Sequence, residues 1–244
     1  MSDLHQIAES NMNKLKENVY PGRGIVIGQT PDGNNMVQVY WIMGRSDNSR
    51  NRIFVEADGF VKTQAFDESK VVDPSLIIYY PLKFVGDCHI ISNGDQTDTI
   101  YNSIKSGGTF EAALNTREFE PDAPNFTPRI SGVIDFSDPV AIYKLAINKT
   151  AFNQPEFGQR QYFNYQKALA GFGHCIHTYQ GDGNPLPSFT GEPYLVRLLN
   201  NIDETANLYW SLLNNENKIS LLVKFIDIKT KATKLKILNK HLGD

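Results

Sequence analysis

GIVIGQTPDGNNMVQVYWIM, residues 24–43, decides the fold class. Two apolar, β-branched runs flank Pro31-Asp32-Gly33, and an Asp-Gly turn between such runs is a strong signal of an antiparallel hairpin. The pattern recurs beyond a polar loop, GRSDNSRNR (44–52), where IFVEA and FVKTQ are joined by Asp58-Gly59. Residues 76–92, LIIYYPLKFVGDCHIIS, predict two or three buried strands. More strands are predicted at RISGVIDF, VAIYKLAIN, QRQYFNYQ, GFGHCIHTY, SLLVKFIDI and KLKILN. Helices are fewer. Leu4, Ile7, Met12 and Leu15 recur at helical spacing within 3–17, with Ser2 or Asp3 as cap. NGDQTDTIYNSIKSGG opens with a turn, continues as a helix and stops at Gly107-Gly108. Thr109 caps a second helix through Ala112–Arg117, and Asp203 caps a last one, ETANLYWSLLN. Strands that outnumber paired helices predict an α+β fold, antiparallel sheets covered by helices. No repeat or linker divides the chain, so one domain is expected over 1–244. Residues 1–19 form its N-terminal helical extension, and 203–244 its C-terminal helix and strands.

Composition narrows the function. The 244 residues are 41% hydrophobic and 21% charged, ordinary for a folded protein with a sizeable core. A net charge of −3 supplies no basic footprint for nucleic acid. The lysines at 229, 231, 234, 236 and 240 alternate in part with apolar Leu235 and Ile237 and read as the solvated face of a strand. Cys88 and Cys175 lie in apolar runs, as reduced core thiols of a cytoplasmic protein would. No apolar run reaches the ~20 residues of a membrane span, and the polar, acidic N-terminus is unlike a signal peptide. Neither a membrane nor a nucleic acid is expected as partner.

Several motifs fail on context. Gly22, Gly24 and Gly28 precede a strand, whereas a dinucleotide fingerprint needs a strand before its glycines and a helix after them. His174 and His177, three apart on a strand, point to opposite faces and make a poor zinc pair. Neither a G-x-S-x-G elbow nor a Walker loop occurs.

Three polar blocks remain. GRSDNSRNR brings Arg45, Arg50 and Arg52 into one loop, and guanidinium forks match phosphate oxygens; a solvated charged loop is the alternative. SNGDQTDT (92–99) lies at a helix start, where backbone N–H groups favour anions; Asp95 or Thr97 capping those groups is the alternative. FEPDAPNFTPRIS (119–131) gathers Glu120, Asp122, Asn125, Thr127 and Arg129 on a proline-stiffened segment, suited to holding a substrate or simply to connecting elements.

YPGRGIVIG, YWIMGRSDNSRNR, YYPLKFVGD, SNGDQTDTI and NFTPRISG occur in an order that resembles the archaeal-type IMP cyclohydrolase family, which has bacterial members. The resemblance is close over 20–135 and weaker through 136–200, where GFGHCIHTYQGDGNPLPSF looks like the bacterial branch. It fades in the last forty residues. It implies the four-layer αββα fold of N-terminal-nucleophile hydrolases, here without a nucleophile, since Pro21-Gly22-Arg23 stands where one would be exposed. The implied reaction is dehydrative closure of 5-formamidoimidazole-4-carboxamide ribonucleotide (FAICAR) to inosine monophosphate (IMP), a purine-biosynthesis step. No cofactor is implied, and no ligand cluster for a metal is in sight.

By the same resemblance, Arg45 and Arg50 clamp the 5′-phosphate with Arg23, Arg52 competing with Arg50 for that place. Tyr79 donates to the formyl oxygen or serves as the acid. Asn93, Gly94, Thr97 and Asp98 hold base or ribose, and Thr127 lies with the substrate. Glu120 transfers protons, and Arg129 orients it or the carboxamide. The terminal extensions cover sheet edges or build a homo-oligomer interface. Two readings compete: an amide hydrolase on the same fold, and a protein that binds purine nucleotides without turning them over.

Overall fold

The structure, a computed structural model, describes residues 2–71, 74 and 77–243. A helix α1 (Ser2–Glu17) leads into the predicted hairpin, β1 (Gly24–Gln29) and β2 (Asn35–Met43). The polar loop that follows is not wholly irregular, because Ser46 caps a single turn, α2 (Asp47–Arg50), and exchanges capping-box bonds with Ser49. Next come β3 (Arg52–Ala57) and β4 (Phe60–Ala65), whose turn takes Asp58 and Gly59 to φ values of 55° and 80°. The run from 76 yields two strands, β5 (Leu82–Val85) and β6 (Cys88–Ser92); Leu76 itself lies outside the described residues.

Helices α3 (Gln96–Lys105) and α4 (Phe110–Leu114) follow, α4 capped by Thr109 as expected but two residues earlier and shorter than the sequence suggests. Strands β7 (Arg129–Asp135), β8 (Tyr143–Ala151), β9 (Gln154–Tyr165) and β10 (Phe172–His177) come next. β11 (Tyr194–Arg197) is a strand that the pattern did not announce. The cap of α5 (Ile202–Leu212) is Asn201, which accepts from the N–H groups of Asp203 and Glu204. Asp203 instead stands in the first turn and pairs with Lys236. The chain ends in β12 (Lys218–Asp227) and β13 (Thr233–Asn239).

These strands form two antiparallel sheets. One has the order β11-β10-β1-β2-β12-β13 and the other β3-β4-β5-β6-β7-β8-β9. Alternation decides which side chains face where. Ile25, Ile27, Tyr40 and Ile42 from the first sheet meet Phe54, Ile91, Ile130 and Leu145 from the second in a shared core. Val26, Val39, Trp41 and Val223 point the other way, under Met12 and Leu15 of α1 and Tyr209 of α5. On the second sheet Ile90 and Val133 lie beneath Ile100 of α3 and Phe110 and Leu114 of α4. The layers therefore run helices, sheet, sheet, helices. No helix among the described residues is long and apolar enough to cross a membrane.

β1 and β10 approach closely where Gly28 pairs with Gly173. A Cβ on Gly28 would lie 2.1 Å from the Phe172 carbonyl oxygen and 2.4 Å from the Gly173 Cα. Those are backbone atoms of a central strand, which do not yield as a side chain does. Gly28→Ala is expected to cost about 1–3 kcal/mol, read as a lower urea midpoint at an unchanged slope.

Candidate active site

Antiparallel register brings distant segments to one end of the sandwich. Gly24 faces both Trp41 and His177, so the start of β1 and the ends of β2 and β10 coincide. Arg23, just before β1, is anchored by its backbone N–H to Thr178 Oγ1 at 3.1 Å. Arg45 and Arg52 follow β2, and Tyr179 follows β10. The proline-rich segment closes the recess from the side of the second sheet, with the Glu120 N–H on the Thr127 carbonyl at 2.9 Å. The result is a cavity of about 350 Å³ lined by Arg23, Arg45, Arg52, Glu120, Thr127 and Tyr179 among others.

Its electrostatics centre on Glu120. The carboxyl is 2% exposed and accepts from Arg23 Nη2 at 3.1 and 3.3 Å. Burial raises its pKa above the ordinary carboxylate value, and the Arg23 and Arg129 charges offset this in part. Burial is the strongest single influence against the Arg23 charge, but Glu120 together with the hydroxyls of Tyr79, Tyr179 and Tyr40 outweighs it and holds the guanidinium pKa well above its usual value. Asp122 accepts from the Thr127 N–H at 2.6 Å and from its hydroxyl, which also bonds the Tyr179 hydroxyl. Tyr179's own pKa is raised by burial.

Beside the cavity, lining it in neither case, Tyr40 of β2 shares a 2.7 Å hydroxyl contact with Tyr79, which lies between β4 and β5. Burial pushes the Tyr40 pKa well above the phenol range, so it remains protonated. Tyr79 is fixed by Thr63, whose hydroxyl accepts from the Tyr79 N–H at 2.8 Å and donates to the Ile77 carbonyl at 2.7 Å.

The three loop arginines part company. Arg45, its side chain 38% exposed, pairs with Asp182 at 2.5 Å and lies over the Tyr20 ring. Arg52 is buried in the cavity wall, with Nε on the Ser49 carbonyl at 2.7 Å and Nη1 buried without a partner among the described residues. Burial lowers its pKa from the usual guanidinium value. Arg50 does not line the cavity: it donates to the Gly44 carbonyl at 3.0 Å and to Asn217 Oδ1 at 3.1 Å, tying the loop to the approach of β12.

The asparagine–glycine block lies next to the cavity without lining it. Asn93 Oδ1 accepts from the Ile130 N–H and from Gln96 Nε2, both at 2.8 Å, and its amide donates to the Pro128 carbonyl. Arg129 reaches Asp95 at 2.7 Å and Gln96 at 2.8 Å, backed by Gly94. Thr97 bonds Ser92, and Asp98 pairs with Lys83 at 2.5 Å. Asp95 is the cap residue of α3, yet its side chain caps no N–H and serves Arg117 and Arg129 instead. This network pins the strand end that carries Thr127.

Sequence reasoning missed Tyr20, Tyr40 and Tyr179. Each sits inside a quoted motif but reads there as an aromatic core residue. The available signal was a hydroxyl in a buried run, which must find a partner. His174 and His177 do lie on opposite faces of β10, one bonded to Tyr143 and the other to the Tyr179 carbonyl. Among the described residues no three His, Cys, Asp or Glu gather as metal ligands.

Comparison with known proteins points one way. The chain is 35% identical over 120 residues to a protein named IMP cyclohydrolase from Methanococcus maripaludis strain C7, covering 48% of this chain and 58% of that one. It is 31% identical over 121 residues to one of the same name from Methanopyrus kandleri, covering 48% and 59%. A third, from Haloquadratum walsbyi, is 28% identical over 130 residues, covering 52% and 62%. The chain thus spans less than two thirds of the length of these curated relatives. The model of the family described as IMP cyclohydrolase-like protein matches residues 20–231, which include every wall of the cavity, and the chain belongs to that family.

Proposed function

We propose that this protein is an IMP cyclohydrolase, closing FAICAR to IMP with release of water. One observation carries the reading: three guanidiniums, Arg23, Arg45 and Arg52, converge on a recess that also holds a buried carboxylate, with a tyrosine pair beside it. The layer order supports kinship with N-terminal-nucleophile hydrolases, with Arg23 where a nucleophile would stand. One core shared by both sheets supports a single domain. A purine-nucleotide substrate and two free, buried cysteines support a cytoplasmic setting.

In this reading Arg45 holds the 5′-phosphate, and Arg52 adds its buried charge from the cavity wall. Arg50, spent on Gly44 and Asn217, supports the loop. Arg23 and Thr127 orient the carboxamide and formyl groups, freezing two rotors that cost about 1 kcal/mol each. The carboxamide nitrogen attacks the formyl carbon and gives up a proton to the Glu120 carboxylate. The formyl oxygen, gaining charge, receives a hydrogen bond from Tyr79, whose hydroxyl is held by protonated Tyr40. Glu120 returns that proton to the oxygen, making a hydroxyl, then takes the proton of the former formamide N–H and delivers it to the same oxygen, which leaves as water. One hydrogen from the carboxamide, one from the formamide and the formyl oxygen make up the water. Asn93, Gly94, Thr97, Asp98 and Arg129 act by holding the 127–130 segment and, for Arg129, by moderating the Glu120 charge.

Purified protein mixed with FAICAR is expected to speed the absorbance change that marks IMP; a rate equal to buffer would refute the assignment. Arg45→Ala is expected to raise KM about tenfold at nearly constant kcat, because the phosphate contact is made equally in ground and transition states. Tyr79→Phe is expected to lower kcat about 100-fold, the small end for losing one oxyanion donor, since Arg23 and Thr127 remain. Reversed effects would reject these roles even with the reaction confirmed.

A further inference from the structure

A second cavity, about 610 Å³, lies between the C-terminal half of α1 and the loop that joins β10 to β11. That size suits a small-molecule ligand. Its floor is aromatic. His177 meets Phe189 at 4.7 Å and Tyr194 at 5.6 Å between ring centroids, both near edge-to-face. His177 is 5% exposed, and its Nδ1 lies 2.8 Å from the Tyr179 carbonyl oxygen. A carbonyl only accepts, so Nδ1 carries the hydrogen and the neutral ring must present Nε2 as a bare acceptor. Burial keeps the ring neutral, its pKa lowered to about 4. Nε2 has no partner among the described residues, and the cavity is the space that this side chain lines.

The rim reads differently from the reaction site. It carries Lys14 against Glu17, Asp182 and Glu192. One lysine among three carboxylates disfavours a phosphate, which the arginine recess would welcome.

We infer that this cavity binds a planar nitrogen heterocycle bearing a ring N–H and no phosphate, a free nucleobase or nucleoside, with its N–H on His177 Nε2 and its face on Phe189 and Tyr194. Such an occupant communicates with the reaction site through two residues. Tyr179, whose carbonyl holds His177, lines the arginine recess. Asp182 borders the second cavity and pairs with Arg45. Binding there therefore alters KM for the nucleotide rather than kcat. The binding site stands on its own geometry; the KM effect rests on the proposed function.

Calorimetric titration of the full chain with hypoxanthine, inosine and adenine, each bearing a ring N–H, tests the site, with IMP as the contrasting ligand. At least one base or nucleoside is expected to bind in the presence of saturating IMP. His177→Phe keeps the aromatic floor and removes the acceptor, and is expected to weaken that binding about 10- to 100-fold, the effect of one ligand donor left unpaired. Because the change also frees the Tyr179 carbonyl, Lys14→Trp, which obstructs the cavity from α1, is the second variant. It is expected to abolish base binding and to leave IMP binding as it was. Three results would each overturn the inference: no base or nucleoside binds; IMP displaces it competitively; or both variants bind it as tightly as the unaltered protein. Loss of IMP turnover with base binding intact would count against the catalytic reading alone.

Discussion

Glu120→Gln is expected to lower kcat by about 10³-fold, within the 10²–10⁴ range of a positioned proton-transfer group. The substitution keeps the shape and one acceptor for Arg23, yet it removes the group that in the proposed reaction takes the carboxamide proton and returns it to the departing oxygen. Substrate affinity should change far less, since the phosphate contacts are elsewhere. The pH profile makes the test sharper. Glu120 must start as a carboxylate, so kcat/KM falls as pH falls through its pKa. Burial raises that pKa above the ordinary 4.5, so the acid limb lies above the usual carboxylate position. In the Gln variant the limb should vanish. An acid limb that survives in Glu120→Gln would show that another group is the base.

Trp41→Ala is expected to be the most damaging change to stability, at about 3–5 kcal/mol for a large buried aromatic. The indole is fully buried between the first sheet and α5, stacked on Tyr209 with centroids 6.4 Å apart. Its cross-strand partner is Gly24, whose absent side chain is what admits the ring: a Cβ there would lie 1.9 Å from Trp41 Cζ2. No neighbour on that strand can therefore swell into the hole. The indole Nε1 is buried without a partner among the described residues, and losing it returns a little of the loss. For a chain of this length the Tm should drop by about 6–20 °C. A drop under about 2 °C by calorimetry would mean that α5 contributes little to the core.

Much of the architecture was legible because strands and turns advertise themselves. The hairpin of β1 and β2 and the Asp58-Gly59 turn follow from alternation and two dipeptides. β11 escaped because YLVR is only four residues long, too short for alternation to stand out at the end of a long loop rich in glycine and proline. The cap of α5 was misplaced because Asn201 and Asp203 are both good capping residues and flank the same isoleucine. In the site, the arginine loop could be seen, but not which arginine turns inward. That depends on α2, since Arg50 ends the helical turn and Arg52 begins a strand. The asparagine–glycine block shows a further limit: residues dense in polarity beside an active site brace its walls as readily as they touch a ligand.

The reaction recess draws its walls from both sheets. Tyr40 answers Tyr79 across the seam, and Arg23 answers Glu120. Such a chamber exists at one relative setting of the two sheets, so it works like a vernier. A slip small enough to leave every strand paired still parts both couples. In rising urea, the proposed turnover should accordingly fade before far-ultraviolet ellipticity changes, while the strands are still in place.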